Sequence, residues 1–332
     1  MYLVVVDTAQ IQPYIFGSNR LRENIGASHL VAEATETWAL ALVQAVAKPN
    51  NINANGTLDS AKHIEDSGSS LAAEVLYAGG GNFVVLFRNE PDAQAFIRQL
   101  SRKTLTDAPN LQLVIAQQPV DWSQSLFEQV ETTFKKLAEQ KRSLSLSAPL
   151  LGLGVTVMCR STGLPARELV QPIPSDPKSA YPASAEIAVK LDTTAASNER
   201  LREMFATVLG DTYAFPLDFD ELGRSEGENS YIAVVHADGD GMGERIQRIG
   251  EEAKDNRDYI ARLRAFSLAV EVAARAAQNT MLRRLIDNVQ NGKIAHPSLP
   301  RLAVPVQSQR TQRQTSFVGR VLASSNLFDF AR

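Results

Sequence analysis

Cysteine is nearly absent: Cys159 is the single one in 332 residues. That excludes an intrachain disulfide and a multi-cysteine zinc site, and it fits a reducing, cytoplasmic setting. No apolar run reaches the roughly 20 residues that a membrane span needs. A leader pattern is also missing, because Met1 runs straight into Tyr-Leu-Val-Val-Val with no basic stretch and no small-residue cleavage site. That start reads as a strand rather than a signal peptide. Charge of one sign is not in excess either. A formal net charge of -3 argues against a surface wholly given to nucleic acid, while leaving room for a local basic patch. What is present, 44% hydrophobic and 21% charged residues, is globular, and the length suits two domains with their own cores.

The sharpest local feature is Asp238-Gly239-Asp240, which ends an apolar run from Tyr231 to Ala237 and is followed by Gly241-Met242-Gly243. Carboxylates spaced i, i+2 lie on one face of a strand or bracket its end. They repel unless a cation sits between them, and Mg²⁺ on a phosphate chain takes one or two such groups. Asp238 and Asp240 are therefore candidate catalytic and metal-binding residues. The alternative is a solvated strand-to-helix turn, since Asp and Gly are ordinary turn formers.

Along the chain, Tyr2 to Asp7 reads as a buried strand closed by a carboxylate. A turn carrying Pro13 leads to an Ala-rich helix over 27–47, and the Asn-, Ser-, Asp- and Gly-rich stretch 49–70 reads as an exposed loop. Ala73 to Tyr77 and Phe83 to Phe87, joined through Gly79-Gly80-Gly81-Asn82, make a β-hairpin. Pro91 opens a helix to Leu105, Leu111 to Ala116 is a strand, Trp122 to Lys141 a helix, and Leu151 to Val157 a last strand. This order predicts an α+β fold, an antiparallel sheet with helices packed on one face. Residues 1–158 form the first domain, and 159–228 a connector with a helical element near Ile187 to Val208. Residues 229–300 form a second unit. Its strand 231–237 is followed by a helix from Gly243 and a long helix from Asp258 to Val289. There Tyr259, Leu263, Phe266, Val270 and Ala273 recur on one face, which is core packing. The tail 301–332 has five Arg, no Lys and no Glu, with Gln at 307, 309, 312 and 314. It is consistent with a disordered tail, a basic arm or a disrupted reading frame.

Several motifs then coincide in order. Asp7-Thr-Ala-Gln-Ile-Gln12-Pro-Tyr-Ile-Phe16, followed by Leu21-Arg22-Glu23-Asn-Ile-Gly26-Ala-Ser28, resembles the opening of a palm domain in the large, polymerase-like subunit of type III CRISPR effector complexes. The hairpin Tyr77 to Phe83, the segment Cys159-Arg-Ser-Thr-Gly-Leu-Pro-Ala166 and the turn Ala237 to Gly243 are similar to later parts of the same subunit, so the resemblance spans roughly residues 1–300.

The resemblance implies two ferredoxin-like palm units, related to GGDEF cyclases, that face each other. It implies joining of ATP into cyclic oligoadenylates with Mg²⁺ or Mn²⁺ at the second unit, in antiviral defence. It implies Asp7, Gln12, Arg22, Gly79, Gly80, Gly81, Asn82, Gly239 and Gly241 as nucleotide-binding positions. The partners it implies are CRISPR RNA with other effector subunits, or a second copy of the chain, and no membrane.

Three departures stand against full activity. The hairpin reads Gly-Gly-Gly-Asn where an active one carries Gly-Gly-Asp-Asp, and the second unit's own hairpin is absent after Pro300, leaving that unit incomplete. No His-Asp dipeptide marks a nuclease domain.

Phosphoryl transfer by two metals needs several converging carboxylates. Asn82 cannot replace one as a charged ligand, so the hairpin suits binding better than catalysis, or is simply a tight turn. Other candidates have plainer readings. His236 packs at a strand end, Glu23 supports a helix start, and Asp218 and Asp220 form a turn. Arg20, Lys135 and Lys136 read as solvated surface, with triphosphate contact as the alternative, and Cys159 as a small core residue. An enzyme, a catalytically inactive nucleotide-binding scaffold and an interaction module for RNA or protein all remain open.

Overall fold

The computed structural model describes residues 1–66, 68, 70–143, 154–219 and 239–290, with three isolated residue pairs beyond. The strands of three residues or more are β1 (Tyr2–Ala9), β2 (Ala73–Gly79), β3 (Asn82–Phe87), β4 (Gln112–Pro119), β5 (Glu168–Val170) and β6 (Tyr181–Ala183). The helices are α1 (Ile11–Phe16), α2 (Leu21–Ala32), α3 (Trp38–Val46), α4 (Glu90–Asp107), α5 (Leu126–Ser143), α6 (Ala185–Asp192), α7 (Thr194–Met204), α8 (Ala206–Leu209), α9 (Met242–Glu251) and α10 (Asn256–Asp287).

β1 is apolar on both faces because it is the inner strand of a four-stranded antiparallel sheet ordered β2-β3-β1-β4. That order, with one helical crossover between β1 and β2 and another between β3 and β4, is the ferredoxin-like arrangement. It bears out the expected α+β fold for the first unit. Register pairs Tyr2 with Phe87 and Asp7 with Asn82 on one side, and Tyr2 with Pro119 and Ala9 with Gln112 on the other.

The pleat divides β1 between two cores. Val4 and Val6 face α3 and α4, where Phe96 stacks between Phe83 and Phe87 with ring centroids 5.7 and 5.5 Å away. Leu3 and Val5 face Leu126, Val130, Phe134 and Leu137 of α5, together with Ile246 of α9 and Tyr259, Ile260 and Leu263 of α10. Helices therefore cover both faces of the sheet, so the unit has a further layer beyond the one expected.

Three local readings change. The Pro13 turn is the helix α1, since proline in a first turn removes an N–H that has no helical partner. The Ala-rich helix starts at Leu21, six residues earlier than read, and continues through a wide turn at Glu33–Thr37 into α3. Its first turns were obscured because Glu23 and Asn24 are buried polar residues that interrupt the apolar stripe. The described part of the proposed strand 151–157 is turn and coil, with Val155 and Val157 exposed. The strand 231–237 and nearly all of the tail 301–332 lie outside the described residues.

The connector docks on α2. A Cβ on Gly26 would come within 1.7 Å of the Lys190 carbonyl oxygen, so only glycine allows α2 and α6 this close. Thr194 donates to the Arg22 carbonyl at 3.0 Å, and Glu23 accepts from Tyr181 and Ser161. On the opposite face, α10 is tied to the sheet by charge. Glu74 of β2 is fully buried and accepts from Arg257 and Arg264, while Glu65 pairs with Arg257. Burial pushes the Glu74 carboxyl up. The Arg257 hydrogen bond and charge, the Ile64 N–H and Arg264 outweigh it and hold the group below its ordinary value.

Candidate functional site

Two acidic corners carry the chemistry that the sequence proposes. The first lies at the hairpin end of the sheet. Gly79, Gly80 and Gly81 all take positive φ, at 148°, 61° and 85°, which explains a run of three glycines. Thr8 fastens the bend to β1, its N–H and hydroxyl both donating to the Gly81 carbonyl at 3.2 and 2.7 Å. Asp7 and Asn82 are directly opposite in register, so their side chains share a face. It is the face covered by α5.

Asp7 is 8% exposed and ion-paired with Lys141, and Asn82 is 1% exposed with its Oδ1 unpartnered. Lys141 was not singled out from sequence as a site residue. A signal existed, because Leu126, Val130, Phe134, Leu137 and Lys141 continue one helical stripe, and Lys141 is its only charged member.

The second corner opens α9. Gly241 takes φ 63° as the residue before the helix, and a Cβ on Gly239 would meet the Met242 side chain at 2.9 Å. Asp240 is exposed and makes no ion pair among the described residues. It lines a cleft of about 400 Å³ with Gly241, Glu244, Arg245 and Arg248. The helix behind it is anchored by the fully buried Ile246 and by Gly250, where a Cβ would lie 2.2 Å from the Phe127 ring. Asp238 and His236 lie outside the described residues.

The donor sets of the two corners differ. At α9, two carboxylates with room for water suit a hard divalent cation, and two guanidiniums suit phosphate oxygens. At β1, Asp7 is already ion-paired with Lys141 of α5.

The remaining candidates are placed as follows. Arg22 forms a two-pronged pair with Asp218, Nη2 to Oδ2 at 2.8 Å and Nε to Oδ2 at 3.1 Å, so it braces the connector's end instead of standing free. Asp218 therefore does more than turn the chain, and Asp220 lies outside the described residues. Gln12 is exposed on α1. The Arg20 guanidinium stacks 4.0 Å over the Tyr181 ring, Lys135 pairs with Glu131 at 3.0 Å, and Lys136 donates to Gln118 at 3.0 Å. Cys159 is buried in a small core with Tyr181 and Ile187, as its type suggested. Burial raises its thiol, but hydrogen bonds from Thr162, Ser184 and Ser161 hold it below the usual value.

No family model matches the chain, and no curated protein does. Among solved structures, that of the apo Csm1-Csm4 cassette is similar to part of it, at 15% identity and a TM-score of 0.29. The similarity covers 42% of this chain and 18% of that one, less than a fifth of its length. A likeness this slight carries no argument. Among the described residues, no helix is long and apolar enough to cross a membrane.

Proposed function

We propose that the chain is a CRISPR-polymerase-like palm protein of antiviral defence that binds a nucleoside triphosphate, ATP foremost, with Mg²⁺ or Mn²⁺ at the turn opening α9. The observation that carries this reading is the cleft where Asp240 and Glu244 stand beside Arg245 and Arg248. Asp240 and Glu244 would hold the cation, with Asp238 two residues earlier as a further carboxylate. Arg245, Arg248 and the positive end of α9 would hold phosphate oxygens. The cation, when bound, neutralises charge on those oxygens. The resemblance of the α2 string and the Asp-Gly-Asp turn to type III palm subunits supports the reading from sequence.

The test is thermal unfolding of the whole chain with ATP and Mg²⁺. A ligand at one hundred times its Kd stabilises by about 2.7 kcal/mol, and Asp240→Asn or a chelator should abolish that gain. A melting curve indifferent to ATP with either metal rejects the reading.

The second reading, an inactive scaffold subunit of an RNA-containing effector complex, is favoured by the corner at Asp7. Asp7 there is ion-paired with Lys141, and the hairpin offers Asn82 in place of a carboxylate. Labelled ATP with Mn²⁺ separates the two. Cyclic or linear oligonucleotide product supports the enzyme, and ATP-dependent stabilisation without product supports the scaffold. Co-purification with RNA, other subunits or a second copy, unaffected by Asp240→Asn, would mark the partner-binding role.

A further inference from the structure

We propose that His63, Glu65 and Asp66 hold a dication of the Zn²⁺ class, which clamps the loop between α3 and β2 to α10. The fold fixes the middle of that polar loop. Ile64 is fully buried in the core shared by α5 and α10. Its N–H donates to Glu74 at 2.9 Å and its carbonyl accepts from Arg88 at 2.7 Å. The residues on either side are thereby held in place, and one donor atom each from His63, Glu65 and Asp66 lies within 4.8 Å of the others.

The histidine separates this cluster from an ordinary acidic surface. Its Nε2 lies 3.0 Å from the Ser60 carbonyl, which can only accept, so Nε2 carries the hydrogen. In the neutral ring Nδ1 is then a lone pair, and it faces Asp66 Oδ2 at 3.6 Å. Two acceptors so placed are reconciled by a cation between them, a metal ion or a proton. A proton bridges two atoms only, whereas a third donor from Glu65 lies close by. Two ligands on a tetrahedral zinc stand roughly 3.4 Å apart, near the spacing of this pair. A histidine on a metal also characteristically donates its other N–H to a carbonyl or carboxylate. Glu65 is held by Arg257, whose Nε donates to it at 2.9 Å and which also pairs with the buried Glu74. Each carboxylate oxygen has two lone pairs, so Arg257 orients Glu65 and leaves it able to take a metal. Imidazole beside carboxylates favours Zn²⁺ over Mg²⁺ or Ca²⁺, which prefer oxygen alone. The proposal stands whether or not the α9 corner binds ATP.

The experiment titrates Co²⁺, a coloured stand-in for Zn²⁺, into the untagged full-length chain after chelation, with millimolar Mg²⁺ throughout to fill any oxygen-only site. Visible absorption should saturate at one Co²⁺ per chain, and added Zn²⁺ should erase the band. His63→Ala and Asp66→Asn should each abolish it. No saturable band in the parent overturns the proposal and leaves His63 as a protonated partner of Asp66. A band that survives both variants overturns it equally. Should His63→Ala unfold, Asp66→Asn decides, because that side chain is exposed. The clamp is read from thermal unfolding. Zn²⁺ should raise the midpoint of the parent and of neither variant, and an equal rise in all three overturns the proposal.

Discussion

Asp7 and Asp240 are both acids at a strand-end or turn position beside a glycine cluster, and the fold treats them in opposite ways. Asp7 is covered by α5 and balanced by an ammonium from the chain itself. Asp240 stands at the mouth of an open cleft with two arginines nearby and no ion pair among the described residues. A carboxylate in a motif therefore does not reveal what its counter-charge is. The helix laid over that face of the sheet brings a lysine to Asp7, while the turn opening α9 leaves Asp240 exposed.

The largest perturbation removes the frame common to both corners. Glu74→Ala leaves Arg264 without its carboxylate and Arg257 with Glu65 alone, and should cost about 3–5 kcal/mol, read from chemical denaturation. The α9 corner should lose its ATP response as well if α10 is what holds it. Gly26→Ala forces α2 away from the Lys190 carbonyl and should cost about 1–3 kcal/mol, with the connector loosening first in hydrogen exchange.

The direct contrast is smaller. Asp7→Ala should cost about 1–2 kcal/mol, between a surface and a buried ion pair. Asp240→Ala should stay within about 0.5 kcal/mol while removing the ATP response. Equal stability losses at the two positions would erase the distinction between them.

Mild acid gives the gentlest test. Because Glu74 is held below its ordinary value, its stabilisation is full above the unfolded value of about pH 4.3. It is lost as pH falls through the lower folded value. Glu74→Gln should flatten that part of the stability profile, and an unchanged slope would remove Glu74 from the account.

Legibility from sequence followed the kind of interaction involved. The hairpin, α4, β4, α9 and α10 were readable because proline, glycine and apolar period act locally. The Leu-Arg-Glu…Gly string was recognisable, but not its physical use. Glu23, Gly26 and Arg22 turn out to meet Tyr181, Lys190 and Asp218, all more than 150 residues away. The early start of α2 was hidden for the same reason, since polar residues buried against a distant connector look like surface. Val155 and Val157 misled in the opposite direction, being β-branched residues left exposed in turn and coil.

By itself the order of residues determined the alternation of strands and helices, the three-glycine bend and the absence of a second acid at position 82. Those depend on backbone freedom and on side-chain periods of two and 3.6, which a chain carries wherever it goes. Only the tertiary structure decided that Lys141 answers Asp7, that Arg22 is spent on Asp218 and that both faces of the sheet are covered. Charges find their partners through space, and the distance along the chain says nothing about which partner lies within reach.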